Sequence, residues 1–295
     1  MHSHRAFGGV VLAIVAAWSV VAVASIQRSA QTPAPARETS AEFPGVRLWY
    51  RDTGGAGVPV IFLHAATGST RNWANQEPVF TAAGYRFVAY DRRGWGRSSV
   101  DAPGAPPSTG ADDLRLLVGA LGIDRFHLVA TAGGAFVAID YALSFPQQLR
   151  SLVIANSIGG VQDEEFLALG RRLRPSQFDA LPPDLRELGP AYRAANPEGT
   201  ARWLELERAS RPNGPLPTPQ RMKNRVTFAL LETISVPTLL LTGGADMYAP
   251  PAVTRLFARR IKNSTTLFVP DTGHSTYWEE PEVFNRAVLE FIRKH

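Results

Sequence analysis

The sequence contains no cysteine, and this absence removes several kinds of site at once. Without a thiol, the chain cannot form a disulfide, hold zinc through thiolates or use a cysteine nucleophile. Clusters of Lys and Arg interleaved with aromatic residues are also lacking, so the formal net charge of +5 does not indicate a nucleic-acid partner. The sequence has no cluster of metal-ligating residues and no dinucleotide-binding fingerprint, and we therefore predict no cofactor.

Charge is absent from residues 6–27, whose centre reads VVLAIVAAWSVVAVAS. Arg5 precedes this stretch, and the AVA at 22–24 fits a small-x-small cleavage site. The pattern predicts a secretory signal peptide or an uncleaved membrane anchor over residues 1–27. A flexible spacer rich in Pro, Ala, Thr and Ser is predicted for residues 28–43. We expect an exported protein, periplasmic or secreted, that contacts a membrane only if residues 6–27 stay attached as a tether.

Short apolar segments alternate with helical patterns in the rest of the chain. Strands are predicted over residues 46–52, 58–64, 85–91, 126–131, 149–157, 236–244 and 265–270. This alternation with helices predicts an α/β fold with a mostly parallel, doubly wound sheet that is covered on both faces. The core is expected to comprise residues 44–157 and 236–295. Residues 158–235 lack a convincing strand pattern, and we expect a helical cap there.

Reactive residue types follow several of these predicted strands. In a parallel sheet, the carboxyl ends of the strands are where ligands bind. The segments found there are HAATG (64–68), DRRG (91–94), AGG (132–134), NS (156–157), Asp246 and His274. A small-residue turn thus comes first and an Asp and a His come late, which is the chain order nucleophile, acid, base.

Four segments resemble motifs of the α/β-hydrolase superfamily, and the resemblance covers the chain from about residue 44 to its end. HAATGS resembles the oxyanion loop HG-x-x-G, and YDRRGWGRSS resembles D-x-R-G-x-G-x-S. LLLTGGADMYAPP is similar to the segment of the catalytic acid, and VPDTGHS to that of the base. The resemblance implies the α/β-hydrolase fold and an esterase-like or lactonase-like activity on a small molecule.

The same resemblance implies roles for a histidine and an aspartate. His274 is expected to be the general base, and Asp246 the acid that orients and polarises its imidazole. Asp246 also suits a helix N-cap. Asp271, three residues before His274, is a rival acid that fits a turn better.

The nucleophile is missing from the segment that resembles the nucleophile elbow. The family motif is G-x-S-x-G, and here residues 130–134 read ATAGG, so Ala132 occupies the nucleophile position. The resemblance implies an oxyanion hole made by the backbone N–H groups of Ala66 and Gly133, which a side-chain change leaves intact. Thr131 is a poor substitute nucleophile because neighbouring side chains on an elbow point in different directions.

Other polar and aromatic residues are assigned structural roles. We expect His64 to pack the oxyanion loop, and we find nothing that places the hydroxyls of Ser69 or Ser275 at the elbow. Residues expected to brace the second loop are Arg92, Arg93, Trp95, Arg97 and Ser98. Aromatics expected to belong to the core of the cap, with lining of an apolar pocket as the alternative, are Phe166, Trp203 and Phe228.

Three hypotheses account for Ala132. In the first, the protein is an enzyme that acts on a small, apolar ester, lactone or carbonyl compound through the His–Asp base without a covalent serine intermediate. In the second, it is a non-catalytic small-molecule-binding relative; in the third, alanine deliberately replaces the serine of an ordinary hydrolase. Ala130, Thr131 and Gly133 also depart from the usual elbow, which favours a natural alanine. A retained base favours chemistry over binding alone.

Overall fold

The computed structural model describes residues 36–100, 108–174, 176–212 and 220–295, together with residue 2. The predicted signal or anchor segment and the first part of the spacer lie outside these residues, apart from residue 2. Within the described part of the chain, no helix is both long and apolar enough to cross a membrane.

Nine strands form one mixed sheet in the described part of the chain. The strands are β1 (Arg37–Phe43), β2 (Val46–Asp52), β3 (Pro59–Leu63), β4 (Arg86–Tyr90), β5 (Ser99–Val100), β6 (Phe126–Thr131), β7 (Leu149–Ala155), β8 (Thr238–Gly243) and β9 (Ser264–Val269). Their order is β1-β2-β4-β3-β6-β7-β8-β9, and β5 pairs with β2. The pairs that involve β2 are antiparallel, and the pairs from β4 to β9 are parallel. The predicted mostly parallel α/β sheet is therefore confirmed.

Helices cover the sheet on both faces. They are α1 (Glu77–Ala82), α2 (Gly110–Ala120), α3 (Gly133–Ser144), α4 (Glu164–Leu173), α5 (Pro183–Glu187), α6 (Pro190–Ala195), α7 (Pro197–Ser210), α8 (Phe228–Leu231), α9 (Pro251–Arg260), α10 (Thr276–Glu279) and α11 (Pro281–Ile292). Two apolar clusters result, one built around α2, α3 and α9 and the other around α1 and α11. Every residue of β6 is buried, as expected of a central strand that is covered on both faces.

The spacer prediction for residues 28–43 is wrong at its C-terminal end. Residues Arg37–Phe43 form β1, which pairs antiparallel with all of β2. The segment RETSAEF carries three charges, so its composition gives no strand signal. As an edge strand it needs only one partner, and Ala41 and Phe43 pack against the core cluster around α2 and α3.

The segment between β7 and β8 is helical where it is described. Of residues 158–235, the described ones form α4 to α8 and a short 3-10 helix, Phe178–Ala180, and contain no strand. We refer to residues 158–235 as the helical insertion. It supplies several of the side chains that line the cavity at the carboxyl ends of the strands.

Candidate active site

The turn from β6 into α3 has the strained backbone of an elbow. Ala132 is the N-cap residue of α3 and has φ +47° and ψ −118°, a backbone conformation that residues other than glycine rarely adopt. The Ala132 N–H donates to the carbonyl of Ala155 at 3.0 Å, and the Ser157 hydroxyl donates to the Ala132 carbonyl at 2.8 Å. Hydrogen bonds to β7 and to the loop after it therefore fix the turn, and the methyl group of Ala132 lies at its tip.

Glycine at position 134 is required by the close approach of α3 to β3. A Cβ at Gly134 would lie 2.5 Å from the Leu63 carbonyl oxygen and 2.7 Å from that of His64. Ala130, at the first position of the motif, is fully buried in the core, where its methyl group finds room. The elbow therefore keeps Gly134, which its packing requires, whereas Ala132 at its tip has no nucleophilic side-chain atom.

His274 and Asp246 meet as the sequence predicts. Asp246 follows β8 and His274 follows β9, and the imidazole Nδ1 lies 2.9 Å from both carboxylate oxygens. This contact leaves Nε2 as the free ring nitrogen of a side chain that lines the same cavity as Ala132. The rival Asp271 is an exposed turn residue with φ +60° and makes no contact of this kind.

Hydrogen bonds from several elements fix the Asp246 carboxylate. The N–H groups of Tyr248 and Ala249 donate to Oδ1 at 2.8 and 2.9 Å. The alternative role of Asp246 as a helix N-cap is wrong, because the N-cap of α9 is Pro250. The Asn156 amide and the Thr242 hydroxyl each donate to Oδ2 at 3.1 Å. Burial alone would raise the pKa of Asp246, but the neighbouring histidine and these donors lower it below its ordinary value. Asp246 therefore stays ionised.

The same pair changes the basicity of His274. Burial works to lower its pKa, but the charge and the hydrogen bond of Asp246 outweigh burial, and the charges of Glu187 and Glu279 add to them. The net result is a pKa above the ordinary value. A proton taken up at Nε2 is therefore stabilised, which is the property a general base requires.

The two predicted oxyanion donors are adjacent. A Cβ at Gly133 would lie 3.4 Å from the Ala66 nitrogen. Gly133 is the first residue of α3, so its N–H has no acceptor within the helix. Neither N–H donates a hydrogen bond to another backbone carbonyl in the described part of the chain. Both residues line the cavity, where the two groups can polarise a carbonyl oxygen.

His64 holds the oxyanion loop in place. Its Nε2 accepts the N–H of Arg92 at 2.8 Å, and its Nδ1 lies 2.7 Å from the Ala65 carbonyl. Burial and then the charge of Arg92 lower the pKa of His64 to about 3, so the ring is neutral and Nδ1 carries the proton. These contacts agree with the structural role predicted for His64.

The second loop divides into bracing residues and cavity residues. The bracing contacts are the ion pair of Arg93 with Asp113, that of Arg97 with Asp91, and the bond from the Ser98 hydroxyl to the Asp91 carbonyl. Arg92, Arg93 and Trp95 also line cavities beside the elbow. The bracing role predicted for Arg92 and Trp95 stays a prediction.

The cavity at the elbow has a volume of about 730 Å³ and has charged side chains in part of its lining. Ala66, Ala132, Gly133 and His274 lie at its base. The helical insertion contributes charged side chains to the lining, which are those of Arg174, Arg186, Glu187, Glu207 and Arg211. These charged side chains do not test the expectation of an apolar ligand, which stays a prediction. The sequence could not reveal this lining because helix spacing does not tell which face of the insertion turns inward.

The remaining candidates lie away from the cavity. Thr131 is fully buried, and the Ser69 hydroxyl is bonded to that of Ser210. Phe166 and Phe228 pack edge to face with each other and both contact Phe257, so they belong to the core. Trp203 is fully buried. Sequence reasoning missed Tyr248, whose ring centroid lies 4.4 Å from that of His274, and Glu187, for which the sequence carries no signal.

Comparison with known proteins agrees with this geometry. The family model described as the alpha/beta hydrolase family matches residues 60–287. The chain belongs to the alpha/beta hydrolase family. A similar protein is the 2-hydroxy-6-oxononadienedioate/2-hydroxy-6-oxononatrienedioate hydrolase of Burkholderia vietnamiensis, 28% identical over 278 residues that cover 84% of this chain and 92% of that protein.

Two solved structures show the same fold. A thermophilic esterase from Thermogutta terrifontis, in a malate-bound structure, has a TM-score of 0.71 and 27% identity, covering 88% of this chain and 99% of that one. An enol-lactonase from Burkholderia xenovorans has a TM-score of 0.68 and 20% identity, covering 86% of this chain and 100% of that one. At 20% identity, the similarity of this chain to the enol-lactonase indicates a shared fold and nothing about activity.

Proposed function

We propose that the protein is a hydrolase in which His274 activates a water molecule directly, with no covalent enzyme intermediate. The observation that carries this proposal is the elbow cavity. A polarised histidine, two unused backbone N–H groups and the methyl group of Ala132 all border it. The catalytic apparatus of a serine hydrolase is thus retained around a position without an oxygen.

The reaction follows from these groups. Nε2 of His274 accepts a proton from water, and the water oxygen bonds to the carbonyl carbon of the substrate. The carbonyl oxygen becomes an oxyanion that accepts hydrogen bonds from the N–H groups of Ala66 and Gly133. When the intermediate collapses, its bond to the leaving group breaks, and the leaving group takes the proton from His274. Asp246 stabilises the imidazolium throughout.

The proposed substrate is a small, polar ester, lactone or related carbonyl compound. Charged side chains of the helical insertion line the cavity, which favours a substrate with oxygen-rich or ionised substituents. The similar proteins include a hydrolase named for oxo-dioate substrates and an esterase with bound malate, and both names are consistent with a polar, carboxylate-bearing substrate. Because loss of the serine from a triad enzyme costs on the order of 10⁶ in turnover, we expect activated substrates to react best.

The test compares wild type with His274→Ala on a panel of activated esters and lactones. The variant should lose turnover, whereas His295→Ala, a change at the exposed chain end, should retain it. Wild-type activity should resist serine-directed fluorophosphonates. Equal product release by wild type and His274→Ala would refute the proposal, and saturable binding without any product would identify a binding protein.

A second variant separates the proposed enzyme from an ordinary serine hydrolase that has lost its nucleophile. Under the proposal, Ala132→Ser alters the mechanism without a gain of several orders of magnitude, since the water site is adapted to the methyl group. A gain of several orders of magnitude, together with fluorophosphonate labelling of the new serine, would instead identify a site built for covalent catalysis.

A further inference from the structure

A second cavity of about 450 Å³ adjoins the elbow. It shares Ala66, Trp95, Gly133 and Phe136 with the larger cavity, so the two meet at the proposed oxyanion hole. Its other walls come from Arg92 and Arg93 of the second loop, from α2 and α3, and from Gly160, Gln162 and residues 220–222 of the helical insertion. A substrate whose carbonyl lies at the hole can therefore extend a substituent into this second cavity.

The guanidinium of Arg92 lines the second cavity and has no partner among the described residues. Its Nε and Nη2 atoms are buried, and neither forms a hydrogen bond within that part of the chain. The centroid of the Trp95 ring lies 6.0 Å from Arg92 Cζ, at the outer limit of a cation–π contact, so the ring offsets little of the charge. Burial lowers the pKa of Arg92 to about 10, which still leaves the group ionised at neutral pH.

The carboxylates next to Arg92 in the chain or in the cavity are already engaged by other donors. These carboxylates, each with the groups that donate to it, are Asp91 with Thr70 N–H and Arg97, and Asp140 with the N–H groups of Lys223 and Asn224. A buried charge without a counter-ion is costly, and proteins keep such groups where a ligand supplies the opposite charge. Within the described residues, Arg92 therefore lacks an anion.

We propose that the second cavity binds a carboxylate of the substrate through Arg92, so that the hydrolase acts on carbonyl compounds that also carry a carboxylate. This inference rests on the proposed function and specifies its substrate class. A planar carboxylate matches the fork of a guanidinium.

The distance between the two functional groups of the substrate must be short. The position of a Cβ on Gly133 is 3.4 Å from the Ala66 nitrogen and 3.5 Å from Arg92 Nη2. An oxyanion donor and the guanidinium thus flank the same point. A carboxylate separated from the reacting carbonyl by only a few bonds can reach Arg92 while the carbonyl oxygen remains in the hole.

Calorimetric titration tests the inference apart from catalysis. The probe is levulinate, which carries a ketone and a carboxylate separated by two methylenes, and its uncharged amide is the comparison. Wild type should bind levulinate, and Arg92→Met should weaken this binding by about 10- to 100-fold, as expected for loss of hydrogen bonds to a charged group. Arg172→Met, which removes an exposed arginine of α4, should bind like wild type.

Kinetics with monomethyl and dimethyl succinate provide the second measurement. Arg92→Met should raise KM for the half-ester and leave the diester unchanged. Equal loss of kcat for both esters would overturn the inference, because Arg92 would then support the oxyanion hole. Unchanged levulinate binding in Arg92→Met would overturn it as well.

The two proposals fail separately, and the fold of the variant can be checked. If His274→Ala keeps full activity while levulinate binding still depends on Arg92, only the proposed function is lost. If turnover depends on His274 but levulinate does not bind, only this inference is lost.

Since Arg92→Met removes an unpaired buried charge, its Tm without ligand should equal or exceed that of wild type, and levulinate should raise only the wild-type Tm. Should Arg92→Met not fold, Arg92→Gln serves in the same measurements.

Discussion

Glu187 should make the stability of the protein fall as pH rises from acid to neutral. Its carboxyl group is 5% exposed and faces the elbow cavity. Burial raises its pKa to about 7 from an ordinary 4.5; the charges of His274 and Arg186 lower it, and those of Asp246 and Glu207 raise it. The native protein therefore keeps this proton at a pH where the unfolded chain has released it.

The sign and size of the effect follow from proton linkage. Below pH 4.5 both states hold the proton, and the carboxyl group contributes no pH dependence. Between pH 4.5 and about 7 the native state binds more protons than the unfolded state, so the free energy of unfolding decreases with pH. At 1.36 kcal/mol per pKa unit, the full loss above pH 7 is about 3 kcal/mol.

The assay is urea unfolding of wild type and Glu187→Gln at pH 4, 6 and 8. Glutamine keeps the shape of the neutral acid and cannot ionise, so the variant should gain stability relative to wild type by about 3 kcal/mol between pH 4 and 8. Glu205→Gln, which changes an exposed residue of α7, should show no such trend. A difference between Glu187→Gln and wild type that does not change with pH would refute the reasoning.

Two further predictions concern the elbow and the N-terminus. Gly134→Ala should destabilise the protein by about 2–4 kcal/mol in thermal unfolding, since its Cβ would overlap the carbonyl of Leu63, whereas Gly119→Ala, with no atom within 4 Å, should be neutral or stabilising. Equal Tm values for the two variants would contradict the packing argument. If residues 1–27 are a cleaved signal peptide, expression in a bacterium should give a periplasmic protein that begins near Ser25; a full-length cytosolic product would count against export.

Much of the fold was predictable because its strands are central and apolar. The predicted bounds of β2 and β6 coincide with those observed, and those of β3, β4, β7, β8 and β9 differ by one or two residues at their ends. Burial on both faces forces a continuous apolar run, which is a strong local signal. β1 was missed because an edge strand takes its hydrogen bonds from a neighbour and needs no such run.

The candidate site was predictable where function depends on residues next to strand ends. Asp246, His274 and the turn at Ala132 lie at such positions, and parallel strands bring their carboxyl ends to one edge of the sheet. Glu187 belongs to the helical insertion, and its approach to His274 depends on how α5 packs over the sheet. No local pattern in the sequence encodes that approach.

By itself, the sequence determined the α/β sheet, the order of nucleophile position, acid and base, and the absence of any oxygen or sulfur at Ala132. These are properties of short segments, because hydrophobic period and residue type are local. Only the tertiary structure decided that charged side chains line part of the elbow cavity and that Arg92, in the second cavity, has no counter-ion among the described residues. Burial and charge pairing depend on which distant segments pack together, and the sum of those contacts determines the substrate that the site can hold.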